Sequence, residues 1–250
     1  MAPGFDGDRN EVAQVFRGEN SRPALLGAQS EVEKAAKIFK QQVRSSEQDL
    51  EGLIKREGSA YEILHLATHA DIDEASPLNS RIYLGDGSGA NTDDGILHQY
   101  ELFNLDLDNE LTVLSACETG AGPWIDGEGV NSLARGFIYA GSKSIVLSYW
   151  DVHDRTSSVL MEDFFRNIKS GKGRSEALRN AKLNYLRKAD AVQANPYYWA
   201  GFVLFGDTSP LQAASASADY WLYLIPILAL LAIAVAFRTA RKRQSKSRAL

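Results

Sequence analysis

Short apolar runs typical of strands alternate with longer amphipathic runs typical of helices between residues 29 and 207, and this alternation constrains the fold most. The strand candidates are YEILHLAT, RIYLG, LTVLSA, SIVLSYW and the aromatic-rich NPYYWAGFVLFGD. Strands that alternate with helices favour a mainly parallel sheet with helices on both faces. The sequence therefore predicts an α/β protein.

The amphipathic runs predict helices over residues 29–41, 46–58 and 130–140 and in the segments SSVLMEDFFRNIKSG and SEALRNAKLNYLRKA. Ser30 and Ser175 are the predicted N-caps of the first and the last of these helices. The segment DGILHQYELFN is also predicted to be helical, which would place His98 on a helix face. Residues 1–28, rich in Gly, Asp, Asn and Pro, are predicted to form a loop.

Two reactive side chains follow strand candidates. His69 follows ILHLAT, and Cys117, the only cysteine of the chain, follows LTVLSA. Ligands and chemistry gather at the carboxyl ends of the strands in an open parallel sheet. An imidazole can help to form a thiolate, which attacks carbonyl carbons, and can then protonate the leaving amine. The pair is suited to acyl transfer, although a lone cysteine is more often inert packing, and both interpretations stay open here.

His65 and His69 are spaced i, i+4, which on a helix would suggest a pair of metal ligands. The run that contains them is of strand type, and the chain lacks the glutamate of a zinc-binding HExxH helix. We therefore predict a buried structural role for His65. Neither a metal nor an organic cofactor is expected.

Four motifs occur in a fixed order: HLATHA, LSACETG, YAGSKSIVLSYWDVHD and NPYYWAGFVLFGD. Together they resemble the CHAT domain, a caspase-related family of the separase and caspase group of cysteine peptidases. The resemblance covers about residues 2–207, so residues 1–207 are expected to form this domain without its N-terminal part. It implies a caspase-like three-layer α/β/α sandwich with a mainly parallel sheet. It also implies that His69 and Cys117 form a catalytic dyad.

The same resemblance has implications for substrates. Family members often have glycine after the histidine, where the backbone amide helps to form the oxyanion hole, and Ala70 stands at that position here. Related separases prefer a basic residue before the scissile bond. Asp151 is the first candidate to bind that cation and Asp154 the second, although Asp154 is also suited to cap the helix that follows it. The expected partners are a protein or peptide substrate and a regulatory protein or upstream region.

Residues 220–237, YWLYLIPILALLAIAVAF, form an uncharged stretch of 18 residues. As a helix it would be about 27 Å long, close to the thickness of a bilayer core. A linker, residues 208–219, precedes it, and the tail, residues 238–250, carries six Lys or Arg and no acidic residue. The positive-inside rule places such a tail in the cytoplasm. The sequence predicts a single-pass membrane protein. The side of the bilayer that carries the preceding domain stays open, because no signal peptide is visible.

The net charge of −5 includes the six positive charges of the tail, so the remainder of the chain carries −11. This negative charge argues against nucleic acid as the main ligand of residues 1–237, since phosphate contacts need clustered cations. Two functions stay open. One is a membrane-anchored caspase-like cysteine endopeptidase, and the other is a non-catalytic scaffold that uses the same fold in a membrane complex.

Overall fold

The structure is a computed structural model of the chain. The chain divides into two compact units, residues 1–211 and 212–250, and all described residues belong to the first. The described residues are 12–16, 26–40, 43–45, 49–73, 75–85, 93–116, 124–125, 129–130, 133–150 and 154–211.

The regular elements of the described residues follow one another in an alternating order. The strands are β1 (Val12–Phe16), β2 (Val43–Ser45), β3 (Ile63–Ala67), β4 (His69–Asp71), β5 (Arg81–Tyr83), β6 (Ile96–His98), β7 (Leu111–Ser115), β8 (Trp124–Ile125), β9 (Gly129–Val130), β10 (Ser144–Ser148) and β11 (Phe202–Gly206). The helices are α1 (Leu26–Phe39), α2 (Leu50–Glu57), α3 (Gln99–Leu102), α4 (Leu133–Tyr139), α5 (Asp154–Lys169), α6 (Arg174–Lys188) and α7 (Pro196–Trp199).

A six-stranded sheet in the order β11-β10-β7-β3-β1-β2 is the centre of the first unit. Its neighbours from β10 to β2 pair in parallel, and β11 pairs antiparallel with β10 at one edge. Two smaller antiparallel sheets accompany it, β4-β5-β6 and β8-β9. The prediction of an α/β protein with a mainly parallel sheet is confirmed.

Helices cover both faces of the large sheet. Successive side chains of a strand point to opposite faces, so Leu64 and Leu66 of β3 join a core with α2, α3 and α4. Ile63 joins the opposite core, with α1, α5 and α6. Strands covered on both faces are buried over nearly their whole length, which explains the nearly continuous apolar runs of β3, β7 and β10. Each fully buried Leu or Ile contributes about 1.5–3 kcal/mol to the stability of this arrangement.

The prediction of a loop for residues 1–28 is wrong at two elements. The strand β1 lies inside the sheet, paired in parallel with β3 and β2. Its sequence VAQVF is short and contains a polar residue, Gln14, so pairing with its neighbours decides its structure rather than its own pattern. The helix α1 also begins earlier than predicted, at Leu26.

The segment DGILHQYELFN contains a strand as well as a helix. Ile96–His98 form β6, where Leu97 pairs with Ile82 of β5, and α3 begins only at Gln99. Gly95, with φ of 78°, turns the chain into this strand. The prediction that His98 lies on a helix face is therefore wrong, because His98 ends β6.

Two predicted N-caps are also wrong. Ser30 lies inside α1, because that helix begins one turn upstream, where Ala28 is buried against Val32 and Ala67. Ser175 is the second residue of α6, whose N-cap is Gly173.

In the part of the chain that the structure describes, no helix is long and apolar enough to cross a membrane. Residues 220–237, which carry the predicted span, lie outside that part, as do the tail and most of the predicted linker.

Candidate active site

The strands β3 and β7 are parallel neighbours in the large sheet, and their last residues, Ala67 and Ser115, are paired. The backbone N–H of Thr68 donates a hydrogen bond to the carbonyl oxygen of Ser115 at 3.3 Å, one residue beyond the end of β3. Both strands therefore end at the same edge of the sheet. Counted from this pair, His69 and Cys117 occupy equivalent positions, two residues further along each chain segment.

His69 begins the small sheet at this edge. It is half-buried and lies directly opposite Tyr83 of β5. The row that contains Ala70, Ile82 and Leu97 packs on the core below. His69 and Tyr83 lie in the alternate row of this sheet, because successive strand residues face opposite sides. The small sheet thus presents the imidazole on the face away from the core.

Asp71 follows His69 on the same face of β4 and holds this row together. The hydroxyl of Tyr83 donates a hydrogen bond to the Asp71 carboxylate at 2.6 Å. The guanidinium of Arg81 lies 3.5 Å from the same oxygen and 5.7 Å from the centroid of the Tyr83 ring. Thr68 Oγ1 also donates to the carbonyl oxygen of Tyr83. Side-chain contacts of the residues before and after His69 therefore connect β4 to β5. The sequence alone did not predict these contacts.

Ala70 stands where glycine is common in the resembling family. Positive φ angles at non-glycine residues occur, among the described ranges, only at Lys40 and Asp108. Ala70 lies in β4, paired with Ile82, so its side chain causes no backbone strain. The absence of glycine at this position is compatible with the local backbone.

The end of β10 lies beside the end of β7. Ser148 Oγ donates a hydrogen bond to the carbonyl oxygen of Ala116 at 2.7 Å, and Ala116 is the residue before Cys117. Cys117 lies outside the described residues. Asp151, in the segment after β10, also lies outside them. Asp154 is the first residue of α5, and its side chain is not described.

His65 is fully buried on β3, as the sequence predicted. Its Nε2 atom lies 2.9 Å from Oε1 of Glu31 on α1. The other carboxylate oxygen of Glu31 accepts a hydrogen bond from Ser115 Oγ at 3.1 Å. Sequence reasoning missed Glu31 and Ser115. Helical spacing from the buried Val32, Ala35 and Ala36 could have indicated that Glu31 faces the sheet.

No group of three His, Cys, Asp or Glu side chains that could hold a metal ion occurs within the described ranges. His98 stacks on Tyr100, with ring centroids 5.0 Å apart, and its backbone N–H donates to Glu101 Oε2 at 2.8 Å. His98 is therefore part of the connection between β6 and α3.

The family model of the CHAT domain matches residues 4–207 of the chain. The chain is also similar to Tetratricopeptide repeat protein 28 of Mus musculus and of Homo sapiens, at 27% identity over 121 residues. The matched segment is 48% of this chain and 5% of each relative, so the chain spans a small part of the curated relatives it matches.

Among solved structures, the chain is similar to the Arg-specific cysteine proteinase gingipain R, with a TM-score of 0.53 and 11% identity. The match covers 81% of this chain and 47% of that chain. A complex of the pro- and mature domains of Porphyromonas gingivalis RgpB gives a TM-score of 0.52 at 11% identity and covers 81% of this chain and 48% of that one. At this identity the likeness shows the fold, which is that of caspase-like peptidases.

Proposed function

The chain belongs to the CHAT domain family, and on that premise we propose that it is a membrane-anchored cysteine endopeptidase with Cys117 as nucleophile and His69 as general base and acid. One observation carries the proposal. The paired residues Ala67 and Ser115 end two adjacent parallel strands, and His69 and Cys117 each follow that pair by two residues. Side chains from the ends of adjacent strands can come within reach of one reacting group.

In the proposed reaction His69 takes the proton of the Cys117 thiol, and the thiolate sulfur forms a bond to the carbonyl carbon of the substrate. The carbonyl oxygen becomes an oxyanion, which the backbone N–H of Ala70 stabilises. When the carbon–nitrogen bond breaks, His69 returns its proton to the leaving amine. Water, deprotonated by His69, then cleaves the thioester, releases the acid and restores the thiol.

We further propose that the substrate carries Arg or Lys before the scissile bond and that Asp151 binds this cation. Asp151 follows β10, and the end of β10 is connected to Ala116 through Ser148. A carboxylate near this edge would stabilise a cation by a charge-assisted hydrogen bond. Gingipain R, whose fold the chain shares, is itself described as Arg-specific.

Labelling of the full chain with peptidyl electrophiles that carry Arg, Lys or Asp next to the reactive group tests this specificity. We expect Cys117 to react fastest with the Arg or Lys reagents. Asp151→Ala is expected to reduce that preference about 10–100-fold, because a hydrogen bond to a charged group contributes about 1.5–3 kcal/mol. Asp163→Ala, on helix α5, is the matched control and should retain the preference, whereas a loss in Asp154→Ala would assign the cation to the second candidate. Equal rates with all three reagents would refute basic specificity, and labelling no faster than a free thiol would leave the scaffold function.

The proposal includes a single membrane span at residues 220–237, supported by its uncharged length and the basic tail that follows. We expect the full chain to float with lipid vesicles and to resist extraction by alkaline carbonate. Leu230→Arg combined with Leu231→Arg should release it, because a charged residue at the bilayer centre costs about 2.5–3.5 kcal/mol by insertion scales. Arg238→Ala, at the edge of the segment, is the control. A wild-type chain that stays with the soluble fraction would exclude the span.

A further inference from the structure

A polar cluster lies inside the core beneath the candidate site. It consists of Glu31 on α1, His65 on β3 and Ser115 on β7, and Glu31 and His65 are only 2% and 0% exposed. The carboxylate of Glu31 reaches both strands, with one oxygen 2.9 Å from His65 Nε2 and the other 3.1 Å from Ser115 Oγ. One side chain from a helix thus connects two neighbouring strands of the sheet.

Burial of these polar side chains in the core costs free energy of folding. The centroid of the His65 ring lies 5.0 Å from that of the Phe165 ring, so an aromatic side chain borders the cluster. Among the residues that the structure describes, His65 Nδ1 has no hydrogen-bond partner. A buried polar atom without a partner costs about 1–3 kcal/mol. Well-packed apolar side chains in place of both Glu31 and His65 would avoid these costs, so stability alone does not explain the arrangement.

The cluster lies where the two strands end. Ser115 is the last residue of β7 and precedes Cys117 by two residues, while His65 precedes His69 by four. The hydrogen bond from Thr68 to the carbonyl of Ser115 joins the same two strand ends through the backbone. Any shift of β3 along β7 would therefore stretch the contacts that Glu31 makes with both strands.

We infer that Glu31 is a positioning residue for the dyad, which fixes the ends of β3 and β7 relative to each other through His65 and Ser115. This inference rests on the proposed function. Glu31 acts through the strands and touches neither the substrate nor the reacting atoms. Its effect is therefore on the orientation of the thiol relative to the imidazole, and less on the affinity for the peptide.

The first test compares labelling of Cys117 in full-length wild type, Glu31→Ala and Glu31→Gln. We expect Glu31→Ala to lower the maximal labelling rate constant about 10–100-fold, because a misplacement of reacting groups by about 1 Å has an effect of this size. The reagent concentration that gives half of the maximal rate should change less than about threefold. Glu31→Gln keeps an acceptor for Ser115 and a hydrogen-bonding group for His65, so it should recover most of the rate. Leu178→Ala, which loses a buried side chain of α6 in the same core, is the control for lost stability.

The second test does not depend on activity. Amide hydrogen exchange at Thr68 should accelerate about tenfold or more in Glu31→Ala, beyond the change in global stability, and stay near wild type in Glu31→Gln and Leu178→Ala. Unchanged exchange at Thr68 in Glu31→Ala would overturn the inference even if the chain does not react as an enzyme. A loss of labelling in Glu31→Ala no larger than in Leu178→Ala would overturn it as well. Slow labelling of wild type instead refutes the proposed function and leaves the exchange test decisive for Glu31.

Discussion

Replacement of His69 with alanine is expected to slow the reaction of Cys117 with a peptidyl electrophile about 10²–10⁴-fold, the usual contribution of a positioned general base or acid. The loss should fall on the maximal rate constant, because the imidazole acts on the thiol proton and not on the peptide. Measurement of labelling rates over a range of reagent concentrations separates the two parameters.

The position of His69 explains why His69→Ala is not expected to lower the stability of the fold. Its side chain lies in the row of β4 that faces away from the core, while Ala70 and Ile82 make the apolar contacts below. Loss of the imidazole therefore removes no core packing. The backbone pairing of β4 with β5 remains in the variant.

A second histidine of the same small sheet provides the matched control. His98 ends β6, separated from β4 by the intervening strand β5. His98→Ala removes the same chemical group and should label within about twofold of wild type. If His69→Ala reacts as fast as wild type while His98→Ala is also unchanged, the assignment of His69 as base and acid is wrong.

Arg174→Met is expected to lower the free energy of unfolding by about 2–4 kcal/mol, because it removes the buried cation that pairs with two carboxylates. The Arg174 side chain is fully buried, with its guanidinium 2.6 Å from Glu110 and 2.9 Å from Asp207. Methionine fills a similar volume but leaves the Glu110 carboxylate with the partly exposed Lys143 as its remaining cation. Burial and then the charge of Glu110 already raise the pKa of Glu62, and loss of Arg174 removes a cation that opposes this shift.

The pH dependence of the stability of the chain at low pH follows in part from Asp207. The backbone N–H and the side chain of Ser209, and after them Arg174, lower the pKa of Asp207 to about 2. A carboxyl group whose pKa is lower in the folded state stabilises the fold above its unfolded pKa of about 4. That contribution disappears as the pH falls from about 4 towards 2. Because the bonds from Ser209 remain in Arg174→Met, the variant should retain most of this dependence.

Urea unfolding at several pH values measures both effects. Arg187→Met, on the exposed side of the same helix, is the control and should change stability by less than about 0.5 kcal/mol. Glu110 precedes β7, and Asp207 follows the antiparallel β11. The ion pairs of Arg174 therefore lie at the amino-terminal ends of the parallel strands, opposite the ends that His69 follows. Labelling of Cys117 per folded molecule should therefore be unchanged in Arg174→Met. Wild-type stability in this variant would show that the ion pairs of Arg174 contribute nothing.

The sequence predicted β3, β7 and β10 because strands buried on both faces carry nearly uninterrupted apolar residues. It did not predict β1, whose run of five residues contains Gln14 and depends on its neighbours for its structure. It assigned Ile96–His98 to a helix because three residues are too few to show a period. That stretch is a strand because it pairs with β5.

Part of the candidate site was also predicted from the sequence, and part was missed. The order of the motifs and the strand endings indicated His69, and the strand-type run around His65 indicated its burial. Glu31 was missed because a glutamate in an amphipathic helix is expected to face solvent. Its contacts depend on how α1 packs over β3 and β7, and the helix pattern alone does not specify that packing.

The most direct measurement is the distance between Cys117 Sγ and the nearer ring nitrogen of His69, in a crystal structure of the chain with a peptidyl electrophile bound to the sulfur. The proposed dyad predicts a separation of about 3–4 Å or a contact through one water molecule. A separation beyond about 8 Å in that complex would exclude proton transfer between the two groups and contradict the dyad.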